Sequence, residues 1–170
     1  MEHIQLRRNP CTVDIENIRR IVESTGFFYP YEINVAVELV EDFLHRGSKS
    51  GYNFIFYDAS AETSGEKSPV TAGYVCYGPI ECTSGSFDLY WIAVEQKFQR
   101  RGIGAVLLRE AEKDIAVLNG RKIIIETSSQ EKYAGTRRFY ENAGYFLEGA
   151  IRDFYTSGDD KLIYTRTLLK

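Results

Sequence analysis

The sequence predicts a single mixed α/β domain over residues 1–170. Segments of alternating or β-branched apolar residues, the mark of strands, are interleaved with segments whose apolar residues recur at helical spacing. Their order reads βααβββαβαββ, with no internal repeat, low-complexity tract or linker to divide the chain. Hydrophobic residues at 44% and charged residues at 26% match an ordinary globular composition. Twelve Tyr, 10 Phe and 1 Trp supply bulk for a core.

The elements follow in order. Ile4 and Leu6 alternate with Gln5 and Arg7 in a short first strand, broken at Asn9-Pro10. Ile15, Ile18, Ile21 and Val22 share one helical face, with Thr12 or Asp14 as the start signal and Gly26 as the stop. A second helix follows Pro30, with Ile33, Val37, Val40 and Leu44 on its buried side and Gly47 at its end. Asn53–Tyr57 and Val70–Tyr77 read as strands, and the small polar residues Asp58–Pro69 as the loop between them. Gly78–Ser86 reads as an exposed loop, and Phe87–Val94 as a long strand suited to a sheet interior. Gly102 opens a helix with Ile103, Val106, Leu107, Ala111, Ile115 and Leu118 inward, ended by Asn119-Gly120. Lys122–Thr127, with three successive isoleucines, predicts a buried strand. Tyr133–Ala143 predicts a helix stopped by Gly144. Tyr145–Ile151 and Lys161–Leu168 form two last strands about the turn 157–160.

Charge and composition exclude several classes. With 21 Lys+Arg against 24 Asp+Glu the net charge is −3, which disfavours nucleic acid as a partner. No apolar run reaches the roughly 18 residues of a membrane span, and residues 1–7 lack a signal core. Cys11, Cys76 and Cys82 are too few and too irregularly spaced for a disulfide framework or a zinc cage. No metal is expected, and a cytoplasmic chain with reduced thiols is. None of the cysteines has an evident His partner, and His3 and His45 lie in poor contexts for catalysis.

The richest segment runs from Trp91 to Ala105, where a strand ends and a helix begins at Gly102-Ile103-Gly104. A helix N-terminus presents unbonded N–H donors and the positive end of the macrodipole, and glycines let phosphate oxygens approach the backbone. Lys97, Arg100 and Arg101 add positive charge in a chain that is otherwise acidic. A Walker loop is excluded because Gly104-Ala105-Val106 lacks Gly-Lys-Ser/Thr, and a dinucleotide fingerprint because Leu107 stands where a small residue is needed.

The spacing Gln99-x-x-Gly102-x-Gly104 resembles the Q/R-x-x-G-x-G/A signature of the GNAT acetyltransferases. Phe139-Tyr140-Glu141-Asn142-Ala143-Gly144-Tyr145 resembles that family's hydrophobic-Tyr-Glu-x-x-Gly-Phe box. The resemblance is strongest over residues 87–147. It implies the acyl-CoA N-acyltransferase fold, a twisted, mostly antiparallel mixed sheet flanked by helices with two central strands splayed apart. It also implies N-acetylation of an amine with acetyl-CoA as co-substrate. On that reading the N–H of Val94 polarises the acetyl carbonyl. Ile92, Gln99, Arg100, Arg101, Gly102, Ile103, Gly104 and Ala105 bind the coenzyme, their amides from 100 to 105 holding its pyrophosphate. Tyr140 protonates the departing sulfur.

Glu126, ending the isoleucine strand where the pattern predicts burial, is a candidate base, although its 14-residue spacing to Tyr140 is about two longer than in relatives that use such a glutamate. Asp88 and Tyr90 are alternatives. Tyr133 stands where relatives often carry an Asn that bonds the pantetheine arm. Lys132, Arg137 and Arg138 either approach the adenosine phosphates or form a solvated face. In this family the acceptor is selected by segments here equivalent to Gly26–Tyr31 and Asp153–Asp160, with Cys82–Gly85 near the cleft. Aromatic walls with carboxylates suit a cationic amine on an apolar stem, in a small molecule or a peptide. Homodimers are common in the family, which makes one an open expectation here. A non-catalytic acyl-CoA sensor of the same fold is the alternative function.

Overall fold

The computed structural model describes residues 5–63 and 66–168, without the side chains of 60–68. Ile4 and His3 lie outside the described residues. The elements are β1 (Gln5–Arg7), α1 (Val13–Thr25), α2 (Pro30–Arg46), β2 (Asn53–Thr63), β3 (Glu66–Pro79), β4 (Ser86–Val94), α3 (Ile103–Val117), β5 (Lys122–Ser128), α4 (Ala134–Asn142), β6 (Phe146–Thr156) and β7 (Asp159–Thr167). This is the expected order. The strands run β1-β2-β3-β4-β5-β7-β6 across a seven-stranded sheet. Pairing is antiparallel at β1–β2, β2–β3, β5–β7 and β6–β7, and parallel at β4–β5. The parallel register joins Ser86, Phe87 and Asp88 to Lys122, Ile123 and Ile124.

Two compact units divide the chain, Met1–Gly78 with Trp91–Ala111, and Pro79–Tyr90 with Glu112–Lys170. In the first, α1 and α2 bury Ile18, Ile21, Val22, Ile33, Ala36, Val37 and Val40 against Phe54, Phe56, Tyr74, Cys76 and Ala93 of the strands. Gly26 ends α1 at φ 69°, and Pro30 starts α2 with Glu32 accepting the Tyr29 N–H at 2.7 Å.

Several expectations need correction. Residues 58–63 and 66–69 are strand, not loop, because β2 and β3 continue as a hairpin to the pair Thr63↔Glu66. Ladder hydrogen bonds hold a strand whose side-chain pattern carries no apolar face. Leu44, in the last turn of α2, and Leu118, just past α3, are exposed, and Leu108 takes the inward place given to Val106. Strand β6 starts at Phe146 and reaches Thr156, leaving Tyr145 buried in the turn after α4.

Asp14 is not a capping residue. It is wholly buried in α1 and accepts Arg7 Nη1 at 2.7 Å, Arg7 Nη2 at 2.9 Å, the Cys11 N–H at 2.8 Å and Asn17 Nδ2 at 3.1 Å. Arg7 also reaches Asp58 with Nε at 3.0 Å and lies 4.5 Å from the Phe56 ring centre. Burial pushes the Asp14 carboxyl upward, but the bonds from Arg7, Cys11 and Asn17 outweigh it and hold the group below its ordinary value.

A lowered folded-state pKa stabilises the fold above the unfolded value near 3.9, and that stability is lost as pH falls through the folded value. Asp14→Asn is therefore expected to cost about 3 kcal/mol at pH 7, with Arg7 left half-paired. The difference from wild type should shrink below about pH 4. Urea unfolding at pH 7 and pH 3 checks both; an equal loss at the two values would contradict it.

Candidate active site

In the first unit the site is built at the end of β4. Beyond Val94 the chain turns through a short 3-10 segment, Gln96–Phe98. The Glu95 N–H still bonds Ala72 O of β3 at 2.8 Å, and the Phe98 N–H closes on Glu95 O at 2.8 Å. The Glu95 carboxylate is buried and ion-paired with Arg20 of α1 on one oxygen and with Lys97 Nζ on the other, the latter at 2.9 Å. Arg20 also donates to Thr71 O at 2.9 Å, and Ser24 Oγ accepts the Gln96 N–H at 3.0 Å. Helix α1 thus fixes the turn. Gly73 allows the close approach beneath it: a Cβ there would stand 2.9 Å from Ala93 O and 3.3 Å from Leu107 Cδ1.

The segment then takes a cradle-like conformation that suits an anion. Arg100 at φ 61° and Gly102 at φ 80° are both left-handed, and a side chain at Gly102 would meet nothing within 4 Å, so backbone conformation is what demands glycine there. Left-handed residues at such a turn aim successive N–H groups into one concavity. The first helical bond of α3 is Val106 N–H to Gly102 O at 3.1 Å, which leaves the amides of Ile103, Gly104 and Ala105 ahead of the ladder. No acidic residue sits in that first turn.

Lys97, counted by the sequence as free positive charge, is instead spent on Glu95. Gln99 uses Nε2 on Val94 O at 3.0 Å and its own N–H on Gln96 O at 3.2 Å, so its role is to shape the turn. Arg101 lies over Phe98 at 5.4 Å, and Arg100 is exposed. Ile92 and Val94 are half-buried in β4.

The second unit carries the titratable candidates. Tyr140 of α4 is buried among Phe139, Tyr145 and Tyr164, with ring centres 5.3 to 6.3 Å apart. Burial drives its phenol well above the ordinary value, so it is fully protonated at neutral pH. Around it, the Tyr145 hydroxyl donates to Glu112 at 3.1 Å and the Tyr164 hydroxyl to Glu141 at 2.9 Å. Arg137 donates to Ser128 O at 3.0 Å and Gln130 O at 2.8 Å, fastening α4 to the end of β5. It is half-buried, whereas Arg138 is exposed.

Glu126 departs from its expectation of burial: its side chain is 47% exposed, while its partner Lys161 of β7, at 2.6 Å, is only 13% exposed. In the alternation of β5 it shares the face of Ile124, opposite the buried Ile123 and Ile125. Asp88 pairs in register with Ile124 and so shares that face. Its half-buried carboxyl is raised by burial first and by the charge of Glu126 second, against a lowering by Lys161. Tyr90 is exposed on β4.

Among the described residues no group of His, Cys, Asp or Glu could hold a metal ion, and no helix is long and apolar enough to cross a membrane. The three cysteines are free, Cys76 buried and Cys11 and Cys82 exposed.

A mixed sheet whose fourth strand runs through an anion cradle into a helix is the architecture of an acetyltransferase. The family model of the acetyltransferase (GNAT) domain matches residues 54–146. A crystal structure from Desulfovibrio desulfuricans, assigned to the GNAT acetyltransferases, shares 45% identity over 97% of this chain and 99% of that one, with a TM-score of 0.89. The chain belongs to the GNAT acetyltransferase family.

More distant structures share the fold. An aminoglycoside 6'-N-acetyltransferase complexed with coenzyme A has 17% identity, TM-score 0.71, and covers 99% of this chain and 98% of its own. The ribosomal-protein-S18-alanine N-acetyltransferase of Escherichia coli has 17% identity, TM-score 0.69, and covers 100% and 96%. No curated protein sequence matches the chain.

The buried Glu95 pair makes a prediction independent of substrate. Glu95→Ala leaves Arg20 without its carboxylate and is expected to cost about 3 kcal/mol in urea unfolding. Native-state hydrogen exchange should show faster exchange of the amides from 96 to 102, with α4 unchanged. Uniform acceleration across both units would contradict the local anchoring role.

Proposed function

We propose that this acetyltransferase transfers the acetyl group of acetyl-CoA to a primary amine, carried by a small molecule, a peptide or a protein, with both substrates bound together. One observation carries the reading: the left-handed backbone at Arg100 and Gly102 leads straight into the unbonded first-turn amides of α3. Such an array suits a pyrophosphate. Two structural neighbours support it, one complexed with coenzyme A and both named for N-acetylation. The 170 residues work as a single N-acetyltransferase domain.

Bound acetyl-CoA supplies a thioester carbonyl for the amine to attack. The amides from Arg100 to Ala105 hold the pyrophosphate, Ile92 lines the coenzyme, and the Val94 N–H polarises the carbonyl. Gln99 steadies Val94 through its bond to the carbonyl oxygen. As the N–C bond forms and the C–S bond breaks, the amine loses its proton to a carboxylate and the sulfur gains one from Tyr140. Glu126 is a candidate for that carboxylate, but it is already bonded to Lys161. Asp88 is the better base, because a carboxyl with a raised pKa holds a proton more strongly. The burial that raises the Tyr140 phenol penalises a thiolate in the same surroundings too, so the donor and acceptor of the second proton shift together.

Incubation with acetyl-CoA and a panel of amines and peptides, followed by free thiol and product mass, tests the reading. Acetyl-CoA binding with no thiol release on any amine would leave a sensor of acyl-CoA instead. Tyr140→Phe is expected to lower kcat roughly 10²- to 10³-fold, within the range of a general acid, with acetyl-CoA affinity by calorimetry nearly unchanged. In the wild type the basic limb of the kcat–pH profile should show no phenol titration up to about pH 10. An unaltered kcat in the variant would remove Tyr140 from the chemistry.

A further inference from the structure

The second unit holds a cation of its own on the sheet face that carries the candidate bases. Lys161 Nζ lies 2.6 Å from Glu126 and 3.7 Å from the centre of the Phe154 ring, and its side chain is 13% exposed. Phe154 is itself braced by the Tyr155 ring, edge-on at 5.0 Å. A carboxylate beneath and an aromatic face above is a complete ammonium site. Here the protein fills it with its own side chain. Of the other carboxylates on that sheet face, Asp159 is buried against Ser128 and Gln130 and Glu148 is paired with Lys122. Asp88 lies diagonal to Glu126 across the β4–β5 register, close enough for both Glu126 and Lys161 to act on its charge.

Resting on the acetyl-transfer reading above, we infer that Lys161 sets the charge count of the acceptor site. It cancels Glu126, so that the face presents a single negative charge at Asp88 and selects amines carrying one ammonium over those carrying two. The geometry gives the reason. Three charged groups, from β4, β5 and β7, sum to −1 when both carboxylates are ionised. A monocation docking at Asp88 completes neutrality. A dication brings its second charge toward a carboxylate that is already paired and an ammonium that repels it. The Phe154 wall serves Lys161 rather than the acceptor.

The experiment compares butylamine with 1,4-diaminobutane as acceptors, using the full chain and acetyl-CoA. Lys161→Met exposes Glu126 as a second negative charge and should raise the kcat/KM ratio of diamine to monoamine roughly tenfold. Lys161→Arg should leave the ratio within about twofold. Combining Lys161→Met with Glu126→Gln returns the face to one carboxylate and should return the ratio toward wild type. An unchanged ratio in a folded Lys161→Met protein, or a shift toward the monoamine, overturns the inference. If Lys161→Met fails to fold, Glu126→Gln carries the test. It leaves a neutral face and should lower the ratio still further; a raised ratio contradicts the proposal.

If the wild type acetylates no amine, the functional reading fails on its own, and binding decides the charge count. The Asp88 carboxyl resonance, followed with each amine added, should report tighter butylamine binding in wild type and tighter diamine binding in Lys161→Met. Equal preference in both proteins overturns the inference.

Discussion

A carboxylate buried at the end of a sheet strand must find cations or stay protonated, and Glu95 finds two. Its pairing with Arg20 ties the end of β4 to α1, and its pairing with Lys97 draws the following turn back onto the strand. Arg20 continues to Thr71 O and to Asn17, whose amide meets Asp14, and Asp14 meets Arg7 and, through it, Asp58. The Thr71 hydroxyl closes the circuit on Asp58 at 2.7 Å. One polar network therefore joins β1, β2, β3 and α1 to the residue that precedes the anion cradle. Networks of this kind are costly when incomplete and specific when satisfied, which makes the position of the cradle a property of the whole first unit.

The cradle itself depends on little side-chain chemistry. Lys97 is tied back to Glu95, Arg101 is laid over Phe98, Arg100 is exposed, and the amides of Ile103, Gly104 and Ala105 stand ahead of the helical ladder. Two left-handed residues and a helix start give the turn donors fixed by the backbone, which need no ordering of long side chains.

Much of this was legible in the sequence, and the failures share one cause. Element order, the glycine turn and the Tyr140 helix are local patterns, and periodicity with stop signals reads them well. Asp14, with Thr12, looked like a helix start because its neighbours along the chain suggest one; its true partner Arg7 comes from strand β1. Glu126 looked buried because it follows three isoleucines, yet strand alternation puts it on the half-exposed face with Asp88. Arg20, Glu95 and Lys161 drew no attention, since a charged residue at a helix or strand position is ordinarily solvated and only tertiary pairing distinguishes these. Gly73 left a weak signal, a glycine inside a strand pattern, which marks close backbone approach. The polar stretch after Tyr57 was read as loop because ladder pairing leaves no trace in side-chain pattern.

The two units solve opposite electrostatic problems with opposite means. An anion held by backbone dipoles is bound by a shape that mutation alters only through glycine or through the anchor beneath it. A cation held by side chains is bound by a sum of charges, and any one of Asp88, Glu126 or Lys161 changes that sum by a whole unit. On the acetyl-transfer reading proposed above, phosphate binding would follow from backbone conformation, while the choice of amine would be adjustable residue by residue on one sheet face. On that reading a single charge change on the face would reorder acceptor preference without touching the glycine turn, because the Coulomb energy of a unit charge at a half-buried site is large enough to do so.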